Sequence, residues 1–266
     1  HAGAKASNAG LMTARFDEQI KLAAQLIASA RHVVALTGAG ISTPSGIPDF
    51  RSPGTGEWAR LDPMEVVSLT AFHHQPERFY RWLRPLAQKM AVAEPNPAHR
   101  ALAELEKLGR LQVVLTQNID GLHQKAGSKN VVELHGSLET LLCLNCRKSF
   151  PSERFYPDFI ENAVIPRCPV CEGVLKPEIV FYEETLRPST WDAAVVEAAR
   201  ADVMLIAGTS LEVWPVNSLP IYALDNSAHL IINTLSRTHL DNRAEILLNY
   251  EISHALPSIV RAILEM

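Results

Sequence analysis

Four cysteines, spaced as two Cys-x-x-Cys pairs, constrain the fold of this chain more than any other feature of its sequence. They are Cys143, Cys146, Cys168 and Cys171, and the 266-residue chain contains no others. Two thiolates three positions apart converge on one ion, and four thiolates complete a tetrahedral shell with no open position. The pattern therefore predicts a structural zinc ion, with the segment between the pairs folded back so that the pairs meet.

Two disulfides are the main alternative to this metal site, because secreted proteins often carry them. Disulfides usually join distant segments, whereas all four cysteines lie within residues 143–171. A redox role for one pair is a second alternative, but it leaves the other pair unexplained. The spacing favours a metal and a reducing compartment, and we expect a cytoplasmic protein.

Short aliphatic runs with almost no polar alternation predict buried parallel strands. Helical patterns alternate with several of these runs, at residues 16–30, 97–108 and 188–199. The second pattern has Asn96 as its cap, Pro97 at its first position and Gly109 as its stop signal. Such alternation predicts an α/β fold with a doubly wound, parallel, Rossmann-like sheet. The predicted strands are residues 33–36, 113–116, 131–134, 203–207 and 230–232.

Two stretches do not fit this alternation and predict a smaller second lobe. Residues 50–93 carry two helical segments, and residues 138–176 hold all the cysteines and few helix signals. We interpret them as a helical insertion and a zinc-ribbon insertion, and we expect a ligand in the crevice between this lobe and the sheet. The α/β domain then comprises residues 16–49, 94–137 and 177–266, and residues 1–15 are a tail or a remnant of cloning.

A glycine-rich loop, from Gly38 to Gly40, follows the first predicted strand. Glycines there let backbone amides approach a pyrophosphate at the start of a helix. However, Thr43 stands where the common dinucleotide fingerprint has its third glycine, and no acidic residue follows a second strand at the usual distance. By itself the loop is equally compatible with nucleotide binding and with an ordinary tight turn.

Polar residues follow the other predicted strands at their carboxyl ends. Because these ends share one edge of an open α/β sheet, where ligands bind, the polar residues together predict a site. They are Gln117, Asn118 and Asp120 after the second strand, His135 after the third, Gly208, Thr209 and Ser210 after the fourth, and Asn233 after the fifth.

Taken together, these residues resemble the sirtuin family of NAD-dependent protein lysine deacylases, and its compact prokaryotic members in particular. The matching motifs occur in family order across residues 30–235 and include the paired cysteines. The others are Gly38-Ala-Gly-Ile-Ser42, Gly46-Ile-Pro-Asp-Phe-Arg51, Thr116-Gln-Asn-Ile-Asp120, Leu134-His-Gly136, Lys176-Pro-Glu-Ile-Val-Phe181 and Gly208-Thr-Ser-Leu211.

The resemblance implies an enzyme that uses NAD as a co-substrate and acts on acylated lysine in protein or peptide substrates. The acyl group, acetyl first of all, is transferred to ADP-ribose, and nicotinamide is released. His135 is then the general base, because an imidazole can take up a proton near neutral pH. Asn118 and Asp120 join it, holding the ribose and the nicotinamide carboxamide with the backbone of Ile119. A structural histidine and ordinary turn residues are the alternatives.

The resemblance also implies the rest of the NAD and peptide sites. Phe50 would shield the reactive sugar carbon from water and Arg51 would meet the phosphates; core packing and a surface ion pair are their alternatives. Val180 and Phe181, with His135, would bind the substrate peptide as an added strand. The remaining cofactor-binding residues implied are Gly38, Ala39, Gly40, Thr43, Asp49, Gln117, Gly208, Thr209, Ser210 and Asn233.

Two positions bear on which substrates are accepted. Family members that prefer acidic acyl groups carry a Tyr and an Arg on a helix of the small lobe, and our alignment places Leu83 and Leu86 there. Leucines offer no partner for a buried carboxylate, so we expect uncharged acyl groups; a slipped alignment would bring Arg81 or Arg84 into play. Tyr182 stands where we expect the family to have glycine, which affects the turn after Phe181.

Other functions remain as alternatives. An NAD hydrolase or an ADP-ribosyltransferase on the same scaffold is the first, and a zinc-ribbon interaction module is the second. The formal net charge of −4 and the mixed charges around the cysteines predict no nucleic-acid partner. No apolar run is long enough to span a bilayer, so we expect no membrane association.

Overall fold

The computed structural model describes residues 2–49, 56 and 61–266, without the side chains of residues 2–12. Within these residues a six-stranded parallel sheet has the order β3-β2-β1-β7-β8-β9, so the winding reverses between β1 and β7. This order confirms the predicted doubly wound α/β fold. The strands are β1 (Val33–Thr37), β2 (Val113–Thr116), β3 (Val131–Glu133), β7 (Val203–Ala207), β8 (His229–Asn233) and β9 (Ile246–Leu248).

A second, antiparallel sheet has the order β5-β4-β6. Its strands are β4 (Gly136–Cys143), β5 (Ser149–Pro151) and β6 (Leu175–Ile179). The helices are α1 (Ala2–Ser29), α2 (Leu69–His74), α3 (Pro76–Val92), α4 (Pro97–Lys107), α5 (Leu122–Ala126), α6 (Tyr156–Asn162), α7 (Pro188–Arg200), α8 (Leu219–Asp225) and α9 (Ile252–Leu264).

The aliphatic runs form strands because both of their faces are covered. In β1, Val33 and Ala35 pack with α1, α4 and α9, whereas Val34 and Leu36 pack with α7 and α8 on the opposite face. All five residues of β1 and of β7 are buried. This explains the lack of polar alternation, since a strand buried on both faces has no solvent side.

The helix boundaries follow local signals at some ends and tertiary packing at others. Asn96 caps α4, accepting a hydrogen bond from the Ala98 nitrogen at 2.9 Å, and His99 completes a capping box. Helix α1 begins at Ala2, ahead of the predicted start at residue 16, and so includes most of the segment that we interpreted as a tail. Strand β9 was not predicted.

The small sheet and helices α2, α3 and α6 pack around one hydrophobic cluster, which also includes Ile47 and Leu122. An aromatic cluster joins α3 to the end of β6, with Phe79 and Phe181 4.8 Å apart between ring centroids and Tyr80 next to Phe159. The small sheet spans Gly136–Ile179, slightly wider than the segment 138–176. The division into an α/β domain and a small lobe built from two insertions stays our proposal.

Two backbone loops touch at the point where the winding reverses. The Gly40 nitrogen, after β1, donates to the Gly208 carbonyl, after β7, at 2.8 Å. Gly208 has a φ of +66°, and a Cβ there would overlap the Ile41 nitrogen. Glycine is therefore required for this contact, which leaves a crevice at the carboxyl ends of the strands.

Among the described residues, no helix has the length and apolarity needed to cross a bilayer.

Candidate functional site

A cavity of about 1200 Å³ lies at the carboxyl ends of the parallel strands. It exceeds the volume of a typical single-ligand site, so it has room for two ligands together. Phe50 and Arg51, predicted cofactor residues, lie outside the described residues. Every other predicted catalytic, cofactor and substrate residue lines the cavity: Gly38, Ala39, Gly40, Thr43, Asp49, Gln117, Asn118, Ile119, Asp120, His135, Val180, Phe181, Gly208, Thr209, Ser210 and Asn233.

The loops after β1 and β7 present unused backbone donors to the cavity. Gly38, Gly40 and Gly208 donate to other loops and strands, but Ala39, Thr209 and Ser210 donate their backbone N–H to no acceptor within the described residues. Clustered free N–H groups form an anion-binding concavity. This donor set fits the diphosphate of NAD.

Asn233, at the end of β8, is fully buried, and only the nitrogen of its side-chain amide is hydrogen-bonded. Its side-chain nitrogen donates to the carbonyls of Leu248 and Tyr250, both at 2.9 Å. Its side-chain oxygen has no hydrogen-bond partner, although buried polar atoms are normally paired. An acceptor left open beside the cavity fits a hydroxyl of a bound nucleotide.

His135 lies between the nucleotide loops and the end of β6. Its Nδ1 is 3.0 Å from the Gln117 carbonyl oxygen, which can only accept, so Nδ1 carries the proton of the neutral ring. Nε2 is therefore the basic nitrogen. The loop after β2 thus sets the tautomer of this imidazole, as a general base requires.

Ser42, in the loop after β1, is hydrogen-bonded to two side chains of the loop after β2 beneath the cavity. Its hydroxyl donates to Asp120 at 2.6 Å and accepts from the Asn118 side-chain nitrogen at 3.1 Å. Asp120 also accepts from the Leu122 nitrogen at 2.9 Å. Burial raises the pKa of Asp120, and these hydrogen bonds oppose the shift. The network fixes both carboxylate oxygens and the Asn118 amide before any ligand binds.

The network continues into a buried histidine that the sequence analysis did not select. His99 accepts from the Asn96 nitrogen at Nδ1, at 3.4 Å, and so donates from Nε2 to the Ser42 hydroxyl at 3.3 Å. The sequence contained one signal for the role of His99. This residue stands at the third position of α4, where a capping box usually has Glu or Gln. Ser42 lay within a quoted motif without an assigned role.

His123 in α5 is the second buried histidine of this region. Its ring lies 5.0 Å from that of His99, and its Nε2 lies 2.9 Å from the Thr37 hydroxyl. Burial lowers the pKa of His99 to about 4. Burial, and then the charge of His99, lowers the pKa of His123 to about 3. Both rings are therefore neutral at pH 7.

The segment after β6 forms one wall of the cavity. Val180 donates its N–H to the His135 carbonyl at 2.8 Å, and Tyr182 bonds the Val67 carbonyl at 2.9 Å. The left-handed residue of the turn is Glu183, with a φ of +71°. We placed the glycine of the family at Tyr182, one residue before Glu183, whose backbone conformation is the one that favours glycine. The Glu183 carboxylate bonds the Thr70 nitrogen at 2.8 Å.

The structure shows which face of α3 reaches the cavity. Leu83 and Leu86 are buried in the aromatic cluster and do not line the cavity, whereas Trp82 and Met90 do. Successive helix residues point about 100° apart, so a small alignment shift selects another face. Arg84 bonds carbonyls of α6, the closest that of Glu161 at 2.8 Å. No lysine or arginine among the described residues lines the cavity.

The four cysteines meet in two knuckles of the same form. The Arg147 nitrogen bonds the Cys143 carbonyl and the Glu172 nitrogen bonds the Cys168 carbonyl, both at 2.9 Å. The four sulfur atoms all lie within 4.8 Å of one another, as tetrahedral zinc with Zn–S bonds of about 2.3 Å requires. Cys143 and Cys171 are 3.4 Å apart, too far for a disulfide.

Comparisons with known proteins agree in pointing to one family. The profile described as "Sir2 family" matches residues 38–215. "NAD-dependent protein deacetylase 2" of Caldanaerobacter subterraneus subsp. tengcongensis is 44% identical over 239 residues, which cover 90% of this chain and 94% of that protein. "NAD-dependent protein deacylase 2" of Archaeoglobus fulgidus is 40% identical over 248 residues, covering 93% and 97%.

Solved structures share the fold over nearly the whole chain. One described as "Structural Basis for the Mechanism and Regulation of Sir2 Enzymes" has a TM-score of 0.87 and 39% identity, covering 94% of this chain and 99% of its own. Another, described as "Sir2-p53 peptide-NAD+", has a TM-score of 0.80 and 37% identity, covering 91% and 95%.

Removal of zinc is expected to unfold the small sheet. Metal analysis should find about one zinc per chain, because four thiolates form a single closed site. A strong chelator should lower the midpoint of thermal unfolding, and added zinc should restore it, since structural zinc contributes to folding directly. Protein purified with zinc but retaining none would contradict the assignment.

Acid is expected to destabilise the protein through His99 and His123. Their folded pKa values, about 4 and about 3, lie below that of an unfolded histidine. The unfolded chain therefore takes up protons first, and stability falls with pH from about 6.5 downwards. Each histidine should lower the unfolding free energy by about 2 kcal/mol between pH 7.5 and pH 5.

Urea unfolding at the two pH values measures this loss. The variant His123→Asn should show a smaller pH dependence, whereas replacing the exposed His73 with Gln should leave it unchanged. A wild-type unfolding free energy that is flat across this range would show that the two rings do not stay neutral in the fold.

Proposed function

This chain belongs to the Sir2 family, and we propose that its cavity is where an acyl group passes from a lysine side chain of another protein to the ADP-ribose part of NAD, with release of nicotinamide. The chain is thus an NAD-dependent protein lysine deacylase. Acetyl is the acyl group we expect first, in keeping with the related NAD-dependent protein deacetylases.

The orientation of His135 is the observation that carries the proposed catalysis. With Nδ1 donating to the Gln117 carbonyl at 3.0 Å, Nε2 is the nitrogen able to take up a proton. When bound, NAD supplies the leaving nicotinamide and the ribose that receives the acyl group. His135 then serves as general base, accepting the proton of a ribose hydroxyl at Nε2.

The loop after β2 is proposed to hold the reacting end of the nucleotide. Ser42 fixes Asn118 and Asp120, so neither side chain has to be ordered when the ligand arrives. Such preorganisation lowers the entropic cost of reaching the reactive geometry. Phe50 and Arg51 keep their proposed roles in shielding the sugar and meeting the phosphates.

The free N–H groups of Ala39, Thr209 and Ser210 are proposed to bind the diphosphate. Gly38, Gly40 and Gly208 let the two loops approach closely enough to present those donors together. The Ile119 backbone would assist at the nicotinamide end, and Thr43, Asp49, Gln117 and Asn233 would line the rest of the NAD path.

The peptide is proposed to bind along Val180 and Phe181, which line the same cavity as the nucleotide residues. An extended peptide can add to such a segment through its backbone, with little selection of side chains. An NAD hydrolase would need no such wall, so the shared cavity favours deacylation over that alternative.

We propose the cytoplasm as the compartment of this protein. The four cysteines are free of disulfides, and a thiolate zinc site needs its cysteines reduced.

Replacement of His135 by Ala is expected to abolish most of the activity. Loss of a general base lowers kcat about 100-fold to 10,000-fold, while zinc content and thermal unfolding should stay as in the wild type. An assay of an acetylated peptide with and without NAD measures this. His74→Ala, which changes an exposed histidine of α2, is the matched control. Wild-type nicotinamide release without an acylated peptide would instead favour an NAD hydrolase.

Acyl groups without charge are expected to be preferred. The apolar part of the wall includes Val67, Trp82 and Met90, and a buried carboxylate without a partner costs more than 1 to 3 kcal/mol, or at least about 10-fold in rate. On one peptide, acetyl- and butyryl-lysine should therefore react at least about 10-fold faster than succinyl-lysine. Butyryl matches succinyl in carbon count, so equal rates for the two would reject this expectation.

A further inference from the structure

Lys176 is a buried lysine that the proposed reaction does not use. It lies in β6 and is 4% exposed, whereas lysine is almost never fully buried unless its charge is paired. The run that follows, from Ile179 to Leu186, lines the cavity. The surroundings of Lys176 therefore bear on the shape of the substrate wall.

The ammonium of Lys176 is bonded entirely to the chain that follows it. Nζ donates to the Ile179 carbonyl at 2.8 Å, to the Pro177 carbonyl at 3.3 Å and to Glu184 Oε2 at 2.8 Å. It also lies 4.0 Å from the centre of the Phe181 ring, within the range of a cation–π contact. Its three donors are thus all directed to one short segment.

Glu184 completes the turn from its other end. The carboxylate oxygen that meets Lys176 also accepts from the Phe181 nitrogen at 2.8 Å. The Glu184 nitrogen returns a hydrogen bond to the Phe181 carbonyl at 3.1 Å. Both backbone groups of Phe181 are therefore used within the turn, and the ion pair closes it.

The hydrogen bonds of this turn determine which backbone group remains available to a substrate. Val180 donates its N–H to the His135 carbonyl at 2.8 Å, and its own carbonyl accepts no hydrogen bond from any residue in the described ranges. Val180 lines the cavity beside His135. The turn thus leaves one acceptor next to the general base, where an N–H of the acylated substrate can bond.

A stability role alone does not account for this ion pair, in which Lys176 is buried and Glu184 is partly exposed at the cavity. Apolar residues of similar size often stabilise a fold equally well, and buried pairs are better attested where they fix one geometry. We propose that Lys176 is a positioning residue for the acylated peptide, acting through Glu184 and the Ile179 carbonyl to hold Val180 and Phe181. This inference rests on the proposed function, because it assigns the wall to the peptide.

The test compares Lys176→Met with the double variant Lys176→Met/Glu184→Met in the full, zinc-loaded chain. Removing the lysine alone should lower thermal stability, because Glu184 loses its partner, whereas the double variant should recover stability. Both should bind an acetylated peptide, measured by titration calorimetry, about 10-fold to 100-fold more weakly, as the loss of a charge-assisted hydrogen bond allows. The KM for NAD should change less than about twofold.

Arg187→Met is the matched control. Arg187 pairs with Glu178 at 2.7 Å near the same segment, but its side chain is 58% exposed, so peptide affinity should stay unchanged. Recovery of peptide affinity together with stability in the double variant would show a merely structural role and overturn the proposal. So would an unchanged affinity in both variants, or an equal rise in the KM for NAD.

The two hypotheses fail separately in this design. A wild-type chain that neither binds the acetylated peptide nor turns it over with NAD contradicts the proposed function. A wild-type chain that does both, with variants that match it, contradicts only the role of Lys176.

Discussion

The pairing of β4 with β6 is the contact on which the site depends. At one end of this ladder Gly136 pairs with Ile179, and at the other Cys143 pairs with Leu175. His135 precedes the first of these residues and Val180 follows its partner, while the thiolate cluster closes the opposite end. On β6 these two pairs are four residues apart, or about 13 Å at about 3.3 Å per residue, so the thiolate cluster lies beyond hydrogen-bond reach of His135. Four thiolates leave zinc no open position for chemistry, so we infer that it acts by holding a ribbon whose far end carries the proposed base, His135, and the proposed substrate acceptor, Val180.

The large sheet meets this ribbon through the glycine contact between the loops after β1 and β7. That contact turns the backbone donors of both loops toward the same crevice. The groups beneath it are expensive to bury: Asp120, two neutral histidines and the unpaired oxygen of Asn233. Such groups weaken a fold unless they are satisfied. The hydrophobic layers on both faces of the sheet supply the stability that lets this edge remain polar and partly unsatisfied.

The sequence predicts the scaffold better than the interior of the site. Buried parallel strands can be recognised in the sequence because both of their faces are covered and they lack polar alternation. The spacing of the paired cysteines predicts that the four thiolates meet at one ion. Polar residues at the strand ends meet because parallel strands end at one edge. The link from His99 through Ser42 to Asp120 could not be inferred, because it joins α4 to two loops through tertiary contacts. For α3, the sequence motif identifies the helix but does not show which of its faces lines the cavity. We therefore selected Leu83 and missed Trp82. Glu183 shows the same limit, since only backbone angles reveal which residue of the turn is left-handed.

The segment proposed to bind the peptide is held from two sides, by residues 67–70 and by strand β6. Tyr182 exchanges backbone hydrogen bonds with Val67 and Leu69 on the helical side, and Glu183 bonds the first turn of α2 through Thr70. On the ribbon side Lys176 and Glu184 close the turn. A non-glycine residue at a positive φ costs about 1 kcal/mol or more, and the bond from Glu183 to Thr70 offsets part of it. A glycine at this position would remove the strain together with the tie to α2. The contacts of Glu183 and of Lys176 thus restrict the backbone of this segment and fix its position from both sides. A fixed backbone suits a substrate that is recognised through its own backbone.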